Sequence, residues 1–262
     1  MSFRNAARGG RWAMQLSDSY LAHSLRNTEV AGYRAGGVLL FSHMPTTSPG
    51  STKAEPHVLI GKELRSSRSD PIGQLGFCLL GGKRDESDLD PAETALREFV
   101  EESGNVLTTS QKEQLRAQMT SPSADIFWYL PAKYCLYLLP LPPTATPEWA
   151  VRLPERHKLA VGQPSENGDE GLLSVHKEME SLHWIRLSHL LARLSPHKNT
   201  AKQAKTQPAE GGGSRERGRG GGEVLLDDEE TGASIPLTPF VASCLRHPEM
   251  LAYLRHHSTL QL

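Results

Sequence analysis

Residues 81–105, GGKRDESDLDPAETALREFVEESGN, hold a diglycine followed by a helix that carries an unusual load of negative charge. Asp90 suits the N-cap, Pro91 the first helical position, and Glu93 is spaced to complete a capping box. Gly104 is the stop signal. On a helix over 90–104, turning ~100° per residue, Ala92, Ala95, Leu96, Phe99 and Val100 fall on one side. Glu98, Glu101 and Glu102 cluster on the other, spaced so that neighbouring carboxylates can converge.

Three acids together on one helix repel, and a divalent cation relieves that repulsion. Mg²⁺ wants hard oxygen ligands and shares its shell among a few carboxylates, waters and substrate phosphates. Glycines ahead of the helix let the backbone turn tightly and expose a carbonyl to the same ion. A plainer reading stands beside this one. Glu93, Arg97 and Glu101 lie four residues apart in succession, the pattern of a salt-bridge ladder on a solvated helix face.

The stretch resembles the Nudix box, Gly-x5-Glu-x7-Arg-Glu-aliphatic-x-Glu-Glu-x-Gly-aliphatic. Its C-terminal half, Arg97-Glu98-Phe99-Val100-Glu101-Glu102-Ser103-Gly104, matches at every specified position, with Phe99 as the apolar residue. Two departures stand out. The interval from Gly82 to Arg97 is one residue longer than the pattern, which leaves Asp85, Glu86 and Asp88 as neighbours of the missing early glutamate. Asn105 also replaces the final aliphatic residue, with Val106 next to it.

The resemblance implies an α/β/α sandwich around a mixed central sheet, and a metal-dependent hydrolase that cleaves the pyrophosphate bond of a nucleoside-diphosphate derivative. It implies Mg²⁺ or Mn²⁺ as cofactor. Glu98, Glu101 and Glu102 would ligate the metal, with Glu102 foremost, and the Gly81 carbonyl would complete the shell. Glu98 would also serve as base on the attacking water, oriented by Arg97. In some members the base comes from a later loop; here Glu178 and Glu180 stand at the corresponding place, where surface acids are the commoner reading.

The box does not choose a substrate. Leu64-Arg65-Ser66, Gly73-Gln74-Leu75-Gly76-Phe77, Gly81–Asp85 and Thr94–Glu98 are similar to the signature of coenzyme A pyrophosphatases, without its Phe-Pro-Gly-Gly step and with a different arginine spacing. Coenzyme A therefore joins nucleotide sugars, dinucleotides, oxidised nucleotides and capped RNA as options. Trp128, Tyr129 and Trp149 could stack on a base, although aromatics of this kind are more often core.

Outward from the box, Ala35–Phe41 reads as a buried strand entered through glycines and His57–Gly61 as a second strand paired with it, separated by a polar loop at 43–56. Leu75–Leu80 is a further apolar segment. A second helix is expected over 110–118, a strand over Tyr134–Leu139, and a proline-rich stretch over 140–154 that ends it. Loop follows at 162–171, then a strand at Leu182–Ile185 and a helix at Ser188–Leu194. Residues 196–222, PHKNTAKQAKTQPAEGGGSRERGRGGG, hold almost no large apolar side chain and are expected to be disordered. A strand at Glu223–Leu226 and two proline-started helices near 239–246 and 248–256 close the chain. The organisation expected is an extension over 1–28, a hydrolase domain over 29–195, the insertion over 196–222, and a strand and helices over 223–262 that pack on the domain.

The whole chain has 262 residues, 37% hydrophobic and 23% charged, with a formal net charge of −1. That is the composition of a globular protein, with no overall basic excess to draw nucleic acid or an anionic membrane. The basic Arg-Gly part of the insertion leaves RNA as a partner to consider, and with the irregular box it motivates an alternative: a catalytically weak Nudix-fold protein that binds RNA or protein. An unrelated α/β domain with a chance acidic helix is a third reading. Cys78, Cys135 and Cys244 are far apart and odd in number, which fits three packed thiols in a reducing compartment. Arg4, Arg8 and Arg11, with no acid before Asp18, match a mitochondrial presequence in composition; an ordinary basic N-terminus matches equally, and the cytoplasm is the first expectation. No apolar run has the length of a membrane span. Oligomeric state is left open.

Overall fold

The computed structural model describes residues 20–23, 32–45, 54–67, 70–142, 146–162, 179–195, 223–228 and 232–259. Arg4, Arg8 and Arg11, residues 163–171 of the expected loop, Glu178 and residues 196–222 lie outside the described residues.

A mixed sheet of eight strands organises the molecule. Its path runs β1 (Tyr20–His23), β6 (Asp125–Tyr129), β7 (Tyr134–Pro140), β2 (Ala35–Pro45), β3 (Ala54–Ser67), β4 (Asp70–Cys78), with β5 (Leu80–Lys83) joined to β2 and β8 (Met179–Arg186) joined to β3. β2 and β7 run parallel and the other pairs antiparallel. Parallel strands covered on both faces read as unbroken apolar runs. Val38-Leu39-Leu40-Phe41 and Cys135-Leu136-Tyr137-Leu138-Leu139 are such runs, every residue buried.

Helices cover both faces, giving the α/β/α sandwich. On one side lie α1 (Pro91–Glu102), α2 (Thr109–Met119), the single turn α3 (Glu148–Val151) and α4 (Leu153–Gly162). On the other lie α5 (Leu187–Leu194), α6 (Pro239–Leu245) and α7 (Pro248–Thr259). Successive strand residues face opposite ways, and β2 records the split. Gly36 lies under α1, where an added Cβ would stand 2.9 Å from the Pro91 carbonyl oxygen. Phe41, on the opposite face, meets Tyr253 of α7 edge-on at 5.7 Å. The C-terminal residues share one hydrophobic core with the strands, through Leu226, Ile235, Leu237, Val241, Leu245 and Leu254.

The β2–β3 hairpin forms as expected but is longer. β2 continues to Pro45 and β3 begins at Ala54, so strand takes up both ends of the expected loop at 43–56. β3 reaches Ser67 because β4 and β8 pair with it on its two edges, so backbone hydrogen bonds carry the polar stretch Lys62–Arg65 in strand form. Three of the elements that escape the sequence pattern are β6, α3 and α4. β6 is a five-residue strand between β1 and β7, flanked by glycine-free turns, and α3 and α4 begin within the stretch expected as a proline-rich end to the preceding strand. Pro147 caps α3 and Pro154 sits in the first turn of α4, where a missing N–H costs nothing. All three cysteines are buried and unpaired in disulfides. Among the described residues no helix is long and apolar enough to cross a membrane.

A candidate active site at the diglycine

Four glycines meet where β2 and β5 pair: Gly36 opposite Gly82 and Gly37 opposite Gly81. Gly36 admits the α1 backbone, since a Cβ there would also stand 3.1 Å from the Ala95 nitrogen. Gly82 admits the Glu98 carboxylate, whose oxygens would lie 2.3 and 2.7 Å from any Cβ at that position. The glycine pairs thus let α1 settle on the sheet and lay an acid directly on β5.

The helix starts and stops for the expected reasons, with one change. Asp90 accepts the Glu93 N–H at 2.8 Å. Glu93 does not close a capping box on Asp90; its carboxylate takes the Leu89 N–H at 2.8 Å, one residue earlier, and its other oxygen takes Arg116 of α2 at 2.7 Å. At the C-terminal end the Gly104 N–H bonds to the Glu101 carbonyl and the Asn105 N–H to the Val100 carbonyl, a Schellman closure. Gly104 has φ +78° and Asn105 φ +55°. The second left-handed residue explains the departure at the end of the box: an aliphatic side chain is disfavoured at that φ, whereas Asn tolerates it.

Arg97 is the hub of the site. Its guanidinium donates to Asp88 through Nε at 3.2 Å and Nη2 at 2.9 Å, to the Lys83 carbonyl at 2.8 Å, to Glu98 at 2.8 Å and to Glu101 at 3.2 Å. The hydrogen bonds it donates to Asp88 and Glu98 hold its pKa above the ordinary guanidinium range despite burial. Asp88 is 5% exposed and also accepts the Asp85 N–H and the Thr94 hydroxyl, each at 2.8 Å. Burial pushes its carboxyl up, but the bonds from Arg97, Asp85 and Thr94 outweigh burial and hold it below the usual range. Among the three acids near the irregular spacing, Asp88 is therefore the one inside the site. Its place six residues after Gly82, the Gly-x5 interval of the motif, is the signal that singles it out.

The four residues expected to gather around a metal are partly brought together. Glu98 lies on Gly82, and Glu102 accepts the Gly81 N–H at 2.6 Å, so both carboxylates rest against the diglycine. Glu101 is bonded to Arg97 and part exposed, one rung of the ladder reading, whereas Glu93 turns to Arg116 instead. Glu101 lines an open groove of about 440 Å³ between α1 and α2, with Asp88, Glu93, Lys112 and Arg116. Arg97 also lines that groove, while Gly81 and Gly82 do not. Among the described residues no group of three or more His, Cys, Asp or Glu side chains is placed to hold a metal ion. The donor chemistry of Glu98 and Glu102 nevertheless fits Mg²⁺, which is commonly held by one or two carboxylates with waters and substrate phosphates filling the shell.

Glu180 lies elsewhere. Its carboxylate is 3.8 Å from Lys62 Nζ, and Lys62 bonds at 3.2 Å to buried Asp228. Lys62 faces away from the α1 side by strand alternation, since its neighbour Gly61 faces Cys78 and Met179. Trp128 and Tyr129 are core residues and are closed to a stacking base; Trp149 is partly buried against the same core.

No protein-family model matches the chain, and no curated protein matches it. Among solved structures it is similar to a mutT/nudix family protein from Listeria innocua, at 12% identity over 60% of this chain and 80% of that one. The TM-score of 0.29 makes that overlap too partial to carry an argument.

Proposed function

We propose that the protein is a Nudix-type hydrolase, dependent on Mg²⁺ or Mn²⁺, that cleaves the pyrophosphate link of a nucleoside-diphosphate derivative. The observation that carries this reading is the placement of the Glu98 and Glu102 carboxylates against Gly81 and Gly82, from a helix whose Arg97–Gly104 block resembles the box. Glu98 and Glu102 would hold the cation. When bound, the cation would neutralise charge on the phosphate oxygens and acidify a water. Arg97, anchored on Asp88 and the Lys83 carbonyl, fixes the Glu98 carboxylate. Glu98 then takes the proton of the attacking water as the new P–O bond forms and the bridging P–O bond breaks, its electron pair leaving on the departing phosphate. Glu101 fits better as a partner of Arg97 than as a ligand.

A panel of nucleotide sugars, dinucleotides, coenzyme A, oxidised nucleoside triphosphates and capped RNA, assayed with and without Mn²⁺, tests the proposal. The expected result is cation-dependent release of a nucleoside monophosphate or other phosphorylated product, abolished in Glu98→Gln and in Glu102→Gln. Unchanged turnover in both variants overturns the mechanism, and tight binding with no cleavage supports a binding module instead.

A further inference from the structure

Where β2 begins, four exposed cationic side chains share one corner of the sheet: Arg34, Lys83, Arg84 and Lys133. Backbone hydrogen bonds set their residues side by side. The Arg34 N–H donates to the Lys133 carbonyl and the Arg84 N–H to the Arg34 carbonyl, each at 2.9 Å, and Lys83 stands opposite Ala35. Two of the charged heads are held in place. The Arg84 guanidinium lies 4.6 Å from the Tyr33 ring centre and donates to the Asp88 carbonyl at 3.1 Å. Lys133 has φ +51°, and a Cβ on Gly32 would stand 4.0 Å from its Nζ. Like charges on adjacent strands repel. Among the described residues Arg34, Lys83 and Lys133 make no ion pair. The acids of the following turn offset them only in part: Asp85 is engaged by the Ser87 N–H and hydroxyl, each at 2.8 Å, Asp88 by Arg97, and Glu86 is exposed. In a chain of net charge −1 this concentration is local, and a multiply charged anion is its natural counterion. The corner adjoins the proposed site. Lys83 follows Gly82 directly, and Arg34 stands two residues before Gly36, about 7 Å at the strand rise of ~3.3 Å per residue.

We propose that this corner is an oligophosphate site, which receives the phosphates that continue beyond a pyrophosphate lying on the diglycine. The substrate class it selects is a nucleotide with three or more consecutive phosphates, in preference to a nucleotide sugar. That selection rests on the hydrolase reading; the anion site does not, and binding measured without divalent cations separates the two. Inorganic tripolyphosphate, titrated by calorimetry at low salt in EDTA, is expected to bind wild type and to weaken as salt is added. Arg34→Gln and Lys133→Asn, the latter suited to a positive φ, should each weaken it by about tenfold. Arg255→Gln, which removes an exposed cation from α7, should not. In the hydrolase panel, compounds with three or more consecutive phosphates should show the higher kcat/KM, reduced in both corner variants. Failure of wild type to bind tripolyphosphate, or equal affinity in wild type and the two folded variants, overturns the anion site and leaves the hydrolase reading standing. A 5′-hydroxyl RNA oligonucleotide that binds as tightly, and is weakened by the same variants, overturns the oligophosphate class in favour of a nucleic-acid backbone. A higher kcat/KM on nucleotide sugars overturns the substrate class. Tripolyphosphate binding without cleavage of any nucleotide upholds the anion site and overturns the hydrolase reading.

Discussion

Asp88 gathers four donors on a side chain almost closed to water: Arg97 Nε and Nη2, the Asp85 N–H and the Thr94 hydroxyl. Replacing one acceptor oxygen by an amide leaves at least one donor facing a donor, a loss of about 1–3 kcal/mol for an unmet buried group. Asp88→Asn should therefore lower the urea midpoint at pH 7. The pH dependence has a definite sign. The folded-state pKa of Asp88 is depressed below the ordinary aspartate value of about 3.9. Its stabilisation is full above that value and is lost as pH falls through the lower folded-state pKa. The gap between wild type and Asp88→Asn should accordingly narrow below about pH 4; an equal gap at pH 7 and pH 3 would contradict this account of the residue. In the sequence Asp88 stands at the Gly-x5 place, but as an aspartate one residue too far from Arg97 it departs from the motif in both side-chain length and spacing, so Asp85 and Glu86 stand beside it as candidates. Only the fold shows how the bend through Ser87 and Asp85 brings it back to Arg97.

At the scale of elements, α1 was the most legible part of the chain. Its apolar stripe, N-cap and glycine stop are local signals, and the buried residues Ala92, Ala95, Phe99 and Val100 are those its period demands; Leu96 is only partly buried. The C-terminal end carries a test. Asn105 holds φ +55°, a conformation that costs an ordinary L-residue about 1–2 kcal/mol. Restoring the aliphatic residue of the motif with Asn105→Val should destabilise the fold by about that amount in urea titration. Asn105→Gly should hold the closure, because glycine adopts a positive φ without a Cβ penalty. Equal stability of Val and Asn at this position would mean that the closure does not constrain the residue. The glycines of β2 were legible only as the start of a strand. Their purpose depends on partners some 45 to 100 residues away, Ala95 on α1, Gly81 and Gly82 on β5 and Tyr134 on β7, which no local pattern in a single sequence displays. Helix α4 was missed for a related reason: prolines at its start were read as a break, while in the first turn they favour a helix.

For the whole molecule, the mixed sheet covered on both faces was implied by the resemblance of the box, and the alternation of strands and helices was compatible with it. Neither showed how the faces divide the chemistry. The α1 face carries Glu98, Glu102 and Arg97, whereas the α6 face holds the Tyr134 ring and the buried Lys62–Asp228 ion pair that ties β3 to the C-terminal segment. The acids and the diglycine come together only through the β2–β5 pairing, so the proposed activity is a property of the assembled sheet and not of the box helix in isolation. The most direct test is a Mn²⁺ titration followed by electron paramagnetic resonance on wild type and on the Glu98→Gln/Glu102→Gln double variant, with folding checked by circular dichroism. The account predicts a saturable Mn²⁺ site in wild type that is lost in the folded double variant. An absence of bound Mn²⁺ in wild type, or a site of equal affinity in both proteins, would contradict it.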